Sequence, residues 1–158
     1  EAITLNFLNY SNCEKIIFRP HNIFGASMGE EHVIPEIIYK SLKANKNISI
    51  QGDGRNTRSF CYIDDFVEAI KILIKKGKHK NIYNIGTEKE VRINDVVKQI
   101  ITMSKKNLSI KKIASKKGNA KRRCPDISKI KKIGYKPKIS LKEGLIKTFN
   151  WYKKDLNL

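Results

Sequence analysis

The fifteen residues Gln51–Asp65 (QGDGRNTRSFCYIDD) bring two glycines and two arginines into one short segment. Gly52 and Gly54 permit a tight turn and a close backbone approach to a ligand, while Arg55 and Arg58 can reach an anion through the planar guanidinium fork. Asp64 is expected to cap the helix that follows and so to fix the exit of the segment. Taken alone, a GDG turn with nearby arginines also fits an ordinary hairpin, and the segment leaves both readings open.

A second pattern, Tyr39-Lys40-Ser41-Leu42-Lys43, satisfies YxxxK, in which a lysine one helical turn away lowers the pKa of a tyrosine acid/base. Six Tyr and 27 Lys in 158 residues give about one such pair by chance. One is found, so the pair receives no catalytic assignment. GxGxxG, GxxGxxG, the P-loop, GxSxG and HExxH do not occur. His21, His32 and His79 share no metal-ligand spacing, and no metal site is expected. Cys13, Cys61 and Cys124 are odd in number and far apart, which suits bystander thiols rather than a disulfide framework or a CxxC site.

The elements that must hold these residues alternate between strand and helix, as in α/β architecture. Glu1–Tyr10 reads as the end of a helix and Lys15–Arg19 as a short buried strand. Val33, Ile34, Ile37, Ile38 and Leu42 recur at helical spacing, with Pro35 tolerated in the first turn. Strands are expected at Ile48–Ile50, Phe60–Ile63, Ile82–Ile85 and Leu108–Ile113, with a loop over Gln51–Ser59 and an irregular stretch over Ser115–Pro125. The helix after Asp64 should bury Phe66, Val67, Ile70, Leu73 and Ile74 and end at Gly77. Asn94 and Asp126 are further expected caps. Ser140 with Glu143 forms a capping box before a final helix carrying Leu141, Leu145, Ile146, Phe149 and Trp151.

With 40% apolar residues the chain holds material for one ordinary core. No apolar run approaches the length of a membrane span, and Glu1–Tyr10 lacks the layout of a signal peptide, so a cytoplasmic protein is expected. The chain begins at Glu1 and reads as a piece of a longer protein. Its net charge of +18 is lopsided, with +2 in residues 1–79 and +16 in residues 80–158. Lys105–Arg123 holds nine basic residues and no acid, but Leu108, Ile110 and Ile113 within it suit a partly buried strand. Lysines decorating solvated faces explain most of this excess. An anion site within the stretch, or a basic nucleic-acid-binding module, is the alternative. Against the module, aromatic residues are not interleaved with the cations as a base-stacking platform requires.

Several ordered motifs then carry a resemblance. Arg19-Pro20-His21-Asn22-Ile23-Phe24-Gly25, His32-Val33-Ile34-Pro35, and Gly52-Asp53-Gly54 with Arg58-Ser59-Phe60-Cys61-Tyr62-Ile63-Asp64-Asp65 come first. Tyr83-Asn84-Ile85-Gly86 and the closing run from Arg123-Cys124-Pro125-Asp126 through Gly134-Tyr135-Lys136-Pro137 to Glu143-Gly144-Leu145 follow. In order and spacing the chain resembles the C-terminal half of extended short-chain dehydrogenase/reductases, nearest to NAD-dependent nucleotide-sugar epimerases and dehydratases.

The resemblance implies an α/β fold: the end of a Rossmann-type parallel sheet (about residues 1–24 and 60–87) plus the smaller substrate-binding domain (about residues 25–59 and 88–158). It implies that the family's glycine-rich NAD loop and catalytic YxxxK precede Glu1, so that this chain carries no catalytic residue and is inactive alone. A UDP-sugar epimerase is the expected parent, a homodimer, with no membrane or nucleic-acid partner. A non-catalytic remnant that associates with an intact relative is the further alternative.

Carried over position by position, the resemblance puts Pro20 and His21 beside the nicotinamide of NAD and Asn22 near the diphosphate of a nucleotide-sugar. It places His32 and Val33 along the nucleotide and Ser49 to Gln51 beside the base, with Arg58 and Arg123 as a two-armed diphosphate clamp. Arg58-Ser59-Phe60 stands where the family commonly has "RdF", which removes an acidic residue able to orient the arginine.

Overall fold

Ile16–Pro20 (β1) and Asn81–Ile85 (β6) run in parallel from Ile16 opposite Asn81 to Pro20 opposite Ile85. The His21 N–H continues the ladder by donating to Ile85 O at 2.9 Å. The computed structural model that gives this pairing describes residues 1, 6, 13–115, 118 and 120–157, so most of the helix expected over Glu1–Tyr10 lies outside the described residues.

Three further groupings complete the sheets. Ile23–Phe24 (β2) pairs in parallel with Cys61–Tyr62 (β5), and Asn47–Gln51 (β3) with Ser109–Ile113 (β8). Thr57–Ser59 (β4) lies between Glu90–Arg92 (β7), antiparallel to it, and Arg122–Arg123 (β9), parallel to it. Among the described residues the helices are α1 (Val33–Lys43), α2 (Ile63–Lys76), α3 (Ile93–Ser104), α4 (Ser128–Lys131) and α5 (Leu141–Asp155). The architecture is α/β with parallel strand pairs, as the order of elements predicts.

Local chemistry explains the main elements. Pro35 occupies the first turn of α1, where a missing N–H costs no helical bond, and Ile34, Ile37, Ile38 and Leu42 behind it are buried. Ser140 Oγ accepts from Glu143 N at 3.2 Å while Glu143 reaches back to Ser140, so the capping box starts α5. Two apolar clusters result. One joins α1, α3 and α5 around Phe24, Ile38, Tyr62, Val97 and Leu145, and the other gathers Leu73, Tyr83, Ile85, Ile130 and Tyr135.

Several expectations require correction. β1 is half-buried at Ile16 and Ile17 and exposed from Phe18 on, because among the described residues only β6 flanks it. The loop expected over Gln51–Ser59 contains β4, and the irregular stretch over Ser115–Pro125 contains β9; strands of two or three residues show no periodicity. In α2 the buried positions are Asp65, Ala69 and Leu73, whereas Val67 and Ile74 are exposed. The apolar stripe is well defined by the sequence, but the helix packs through one edge of it, at Ala69 and Leu73 beside Asp65, and leaves the other edge, at Val67 and Ile74, exposed.

The cap of α2 is Tyr62, not Asp64, and that of α3 is Arg92, not Asn94. Ile127 caps α4, although Asp126 Oδ1 still accepts from Ser128 N at 2.8 Å. Asp65 acts as a tie between distant segments. Its two oxygens accept the N–H groups of Lys138 and Ile139, each at 2.9 Å, and so fasten the loop before α5 to α2.

Candidate functional site

A cleft of about 360 Å³ opens between α1, β3 and the segment that carries β4. Gly54 lines it with φ of +76°, and Gly52, in the same turn, has φ of +73°. A Cβ on Gly54 would lie 3.0 Å from Asn94 Cβ and 3.2 Å from Ile50 Cδ1, so only glycine lets the turn pack against α3.

Arg58 on β4 is 6% exposed. Its Nη1 donates to Thr57 O at 2.8 Å and its Nη2 to Ala120 O at 2.7 Å. Burial, and then the like charge of Arg123, push its pKa down from the usual arginine value. Arg58 and Arg123 are Cα partners in the parallel pairing of β4 with β9, and both line the cleft. Arg122 serves a different purpose. Its guanidinium holds Glu90 at 2.5–3.1 Å and Glu90 also accepts from Thr57 Oγ1, so that ion pair fastens β9 to β7 and β4. Arg55, the other candidate cation of the GDG segment, pairs with Asp53 at 3.6 Å on the exposed surface and is not among the cleft residues.

Asn22 adopts a left-handed φ of +45°. Its Nδ2 donates to Ser59 O at 2.8 Å, and its O accepts from Cys61 N at 3.1 Å. These two bonds fix Asn22 beside the β4–β5 junction and leave one amide N–H and Oδ1 for a ligand. His32 and Val33 enter from the start of α1, and Ser49 and Gln51 from β3. All seven residues expected to contact a substrate, Asn22, His32, Val33, Ser49, Gln51, Arg58 and Arg123, thus line one cleft.

Pro20 and His21 lie in a second recess with Arg122 and Cys124, and it meets the cleft at Asn22 and Arg123. This recess sits at the carboxyl ends of β1 and β6, where parallel sheets bind ligands. His21 Nε2 lies 3.2 Å from Asn84 Oδ1, and a Cβ on Gly86 would be 3.2 Å from His21 Cβ, so the imidazole is closely held.

Tyr39 and Lys43 touch each other, with Lys43 Nζ 4.0 Å from the ring centroid, but neither lines the cleft or the recess. Among the described residues no group of three or more His, Cys, Asp or Glu can hold a metal. Cys61 is buried, and burial pushes its thiol up to about 11, so it is inert at neutral pH. The sequence reading missed Met28, Glu36, Asn56 and Phe60, all in the cleft wall. For Glu36 a signal existed: it stands in the first turn of α1, and its N–H donates to the O of the cap residue His32 at 2.9 Å.

Comparison with known proteins identifies the family and the fold. The model of the NAD dependent epimerase/dehydratase family matches residues 1–86. The chain is 36% identical over 139 residues to the trifunctional UDP-glucose 4,6-dehydratase/UDP-4-keto-6-deoxy-D-glucose 3,5-epimerase/UDP-4-keto-L-rhamnose-reductase of Arabidopsis thaliana, covering 87% of this chain and 21% of that protein. It superposes on UDP-glucose 4-epimerase of Thermotoga maritima, solved with UDP-glucose, with a TM-score of 0.89 and 26% identity over 98% of this chain and 51% of the other. The dTDP-glucose 4,6-dehydratase DesIV of Streptomyces venezuelae, solved with NAD bound, gives a TM-score of 0.88 and 25% identity over 99% of this chain and 49% of the other. This chain therefore spans about half the length of those solved chains and about a fifth of the plant enzyme.

Proposed function

The chain belongs to the NAD-dependent epimerase/dehydratase family, and from that premise we propose that it is the C-terminal, substrate-binding half of a nucleotide-sugar epimerase or dehydratase, with a UDP-sugar as the preferred substrate. The observation that carries the reading is the pairing of Arg58 with Arg123 across β4 and β9 in a cleft that Asn22, His32, Val33, Ser49 and Gln51 also line. Two guanidiniums on adjacent strands raise each other's electrostatic cost, and a diphosphate between them relieves it through charge-assisted hydrogen bonds. The nucleoside then extends along α1 and β3, and the sugar points toward Pro20 and His21.

In this reading NAD takes up a hydride from the sugar when bound, and the chain's own share is to border the nicotinamide with Pro20 and His21. The phosphates of the dinucleotide need a glycine-rich turn of a kind this sequence does not contain, so the 158 residues by themselves are inactive. The Rossmann portions about 1–24 and 60–87 and the substrate-binding portions about 25–59 and 88–158 belong to the same proposal, as do a homodimeric parent and a cytoplasmic setting. No described helix is long and apolar enough to cross a membrane.

Titration with UDP by calorimetry tests the reading. One site that weakens sharply in Arg58→Ala supports it. Binding of oligonucleotides that UDP does not displace would instead favour the basic nucleic-acid module.

A further inference from the structure

The three-stranded sheet β7–β4–β9 sorts its charges by face. Arg122 is the Cα partner of Thr57 and Arg123 that of Arg58, while Glu90 stands opposite Ser59 and Val91 opposite Arg58. Side chains alternate along a strand and paired positions share a face, so Glu90, Thr57 and Arg122 lie on one side and Arg58, Val91 and Arg123 on the other. The second side carries two guanidiniums and no acid. Burial, and then this like charge, push the pKa of Arg58 down, and the same repulsion works against the docking of β9 on β4.

What opposes that repulsion is polar and local, because β9 is only two residues long. The Thr57 N–H donates to Lys121 O at 2.9 Å, and Arg58 Nη2 donates to Ala120 O at 2.7 Å. Among the described residues Glu90 is the one carboxylate bonded to β9. Its Oε1 accepts from Arg122 Nε at 3.0 Å and from Nη2 at 2.5 Å, and its Oε2 accepts from Thr57 Oγ1 at 2.9 Å. Arg122, and then Thr57, hold this carboxyl below the usual carboxylate range, so it is charged at neutral pH.

Resting on the nucleotide-sugar reading, we propose that Glu90 is a positioning residue of the diphosphate clamp. Through Arg122 it holds β9 at the register that keeps Arg123 opposite Arg58, and so tunes the affinity for a diphosphate that it does not touch. Glu90 lines neither the cleft nor the recess. Its effect precedes the ligand. Without the tie β9 spends part of its time apart from β4, and the apparent affinity falls by the fraction of chains in which both arms are in place. The two arginines of β9 thus have separate tasks: Arg122 holds the strand, and Arg123 reaches the phosphate.

The test titrates the 158-residue chain with UDP. Glu90→Ala combined with Arg122→Ala removes the tie without changing the net charge, and should weaken UDP about fivefold, the scale of one well-made surface ion pair. The thermal midpoint should stay within about 3 °C, as for other surface substitutions. In an Arg123→Ala background the same two substitutions should weaken UDP by less than about 1.5-fold, because the arm they position is gone. A merely structural role would give the same loss in both backgrounds. The exchanged pair, Glu90→Arg with Arg122→Glu, should bring the affinity back to within about twofold, since the hydroxyl of Thr57 can accept as well as donate.

An equal loss with and without Arg123 overturns the inference. So does an undiminished affinity in the double variant, or an affinity that Arg123→Ala leaves unchanged; in each case binding that depends on Arg58 keeps the nucleotide-sugar reading intact. UDP binding to none of these chains, the unmodified one included, overturns both.

Discussion

Arg58 and Arg123 face one another as Cα partners between β4 and β9, yet the first is buried and the second exposed. The two arms of the proposed clamp therefore do different work. Arg58 is fixed by Thr57 O and Ala120 O before any ligand arrives, whereas Arg123 retains freedom to close on it.

Arg58→Ala should weaken UDP binding by about 1.5–3 kcal/mol, the range for a hydrogen bond to a charged group. Lys111→Ala and Lys112→Ala, on the exposed β8, should change it by less than about 0.5 kcal/mol. Calorimetry at two salt concentrations checks both. A steep salt dependence with equal contributions from every lysine would instead mark counterion release along a nucleic acid.

Gly54→Ala should destabilise the fold by about 1–3 kcal/mol, because it combines a positive φ with a Cβ only 3.0 Å from Asn94 Cβ. Urea denaturation gives the number. Gly118→Ala is the control: its φ is +84° but nothing lies within 4 Å of its Cβ, so only the backbone strain remains.

Asp65→Ala should cost about 2–3 kcal/mol, since it orphans the N–H groups of Lys138 and Ile139 beneath α5. Asp65→Asn should cost less, as its carbonyl can still accept one of them. The ordering of the two variants in thermal melts is the decisive observation.

Stability should fall as the pH rises from about 9 toward 11. The thiol of Cys61 has an ordinary value of 9.0 and is pushed up to about 11 in the fold, so the unfolded chain loses its proton first. The folded state binds more protons throughout that window, and each step upward in pH therefore favours unfolding. Cys61→Ala should flatten this part of the stability profile, and an unchanged slope would refute the assignment.

The isolated chain should self-associate. Phe18, Ile63, Val67 and Ile74 are exposed large apolar residues, three of them on α2, and β1 is flanked by β6 alone among the described residues. Sedimentation should show concentration-dependent association that Val67→Lys with Ile74→Lys reduces.

The sequence made α1, β6 and the capping box of α5 legible because each has a strong local cause: a 3.6-residue apolar period, a short apolar run before glycine, and the Ser140–Glu143 reciprocity. It also placed the seven cleft residues, through ordered motifs rather than periodicity. What it obscured has physical reasons. β4 and β9 are too short to alternate, so the pairing that sets Arg58 opposite Arg123 exists only in the tertiary fold. In α2 the apolar stripe is legible but the edge of it that packs is not, because the buried carboxylate Asp65, next to the expected cap Asp64, accepts the N–H groups of Lys138 and Ile139 from a distant loop. Ser59, where the resembling family commonly carries an acid, is buried with no partner for its Oγ, and Arg58 donates to the backbone carbonyls of Thr57 and Ala120.

Tyr152, near the end of α5, donates its hydroxyl to Met28 O across a separation of 124 residues, and Met28 forms part of the cleft wall. The wall at Met28 is therefore closed by a segment far away in the sequence, and it is finished only once α5 has docked. Local opening of α5 would loosen the cleft with it, which couples the life of the binding surface to the hold of the last helix on the core.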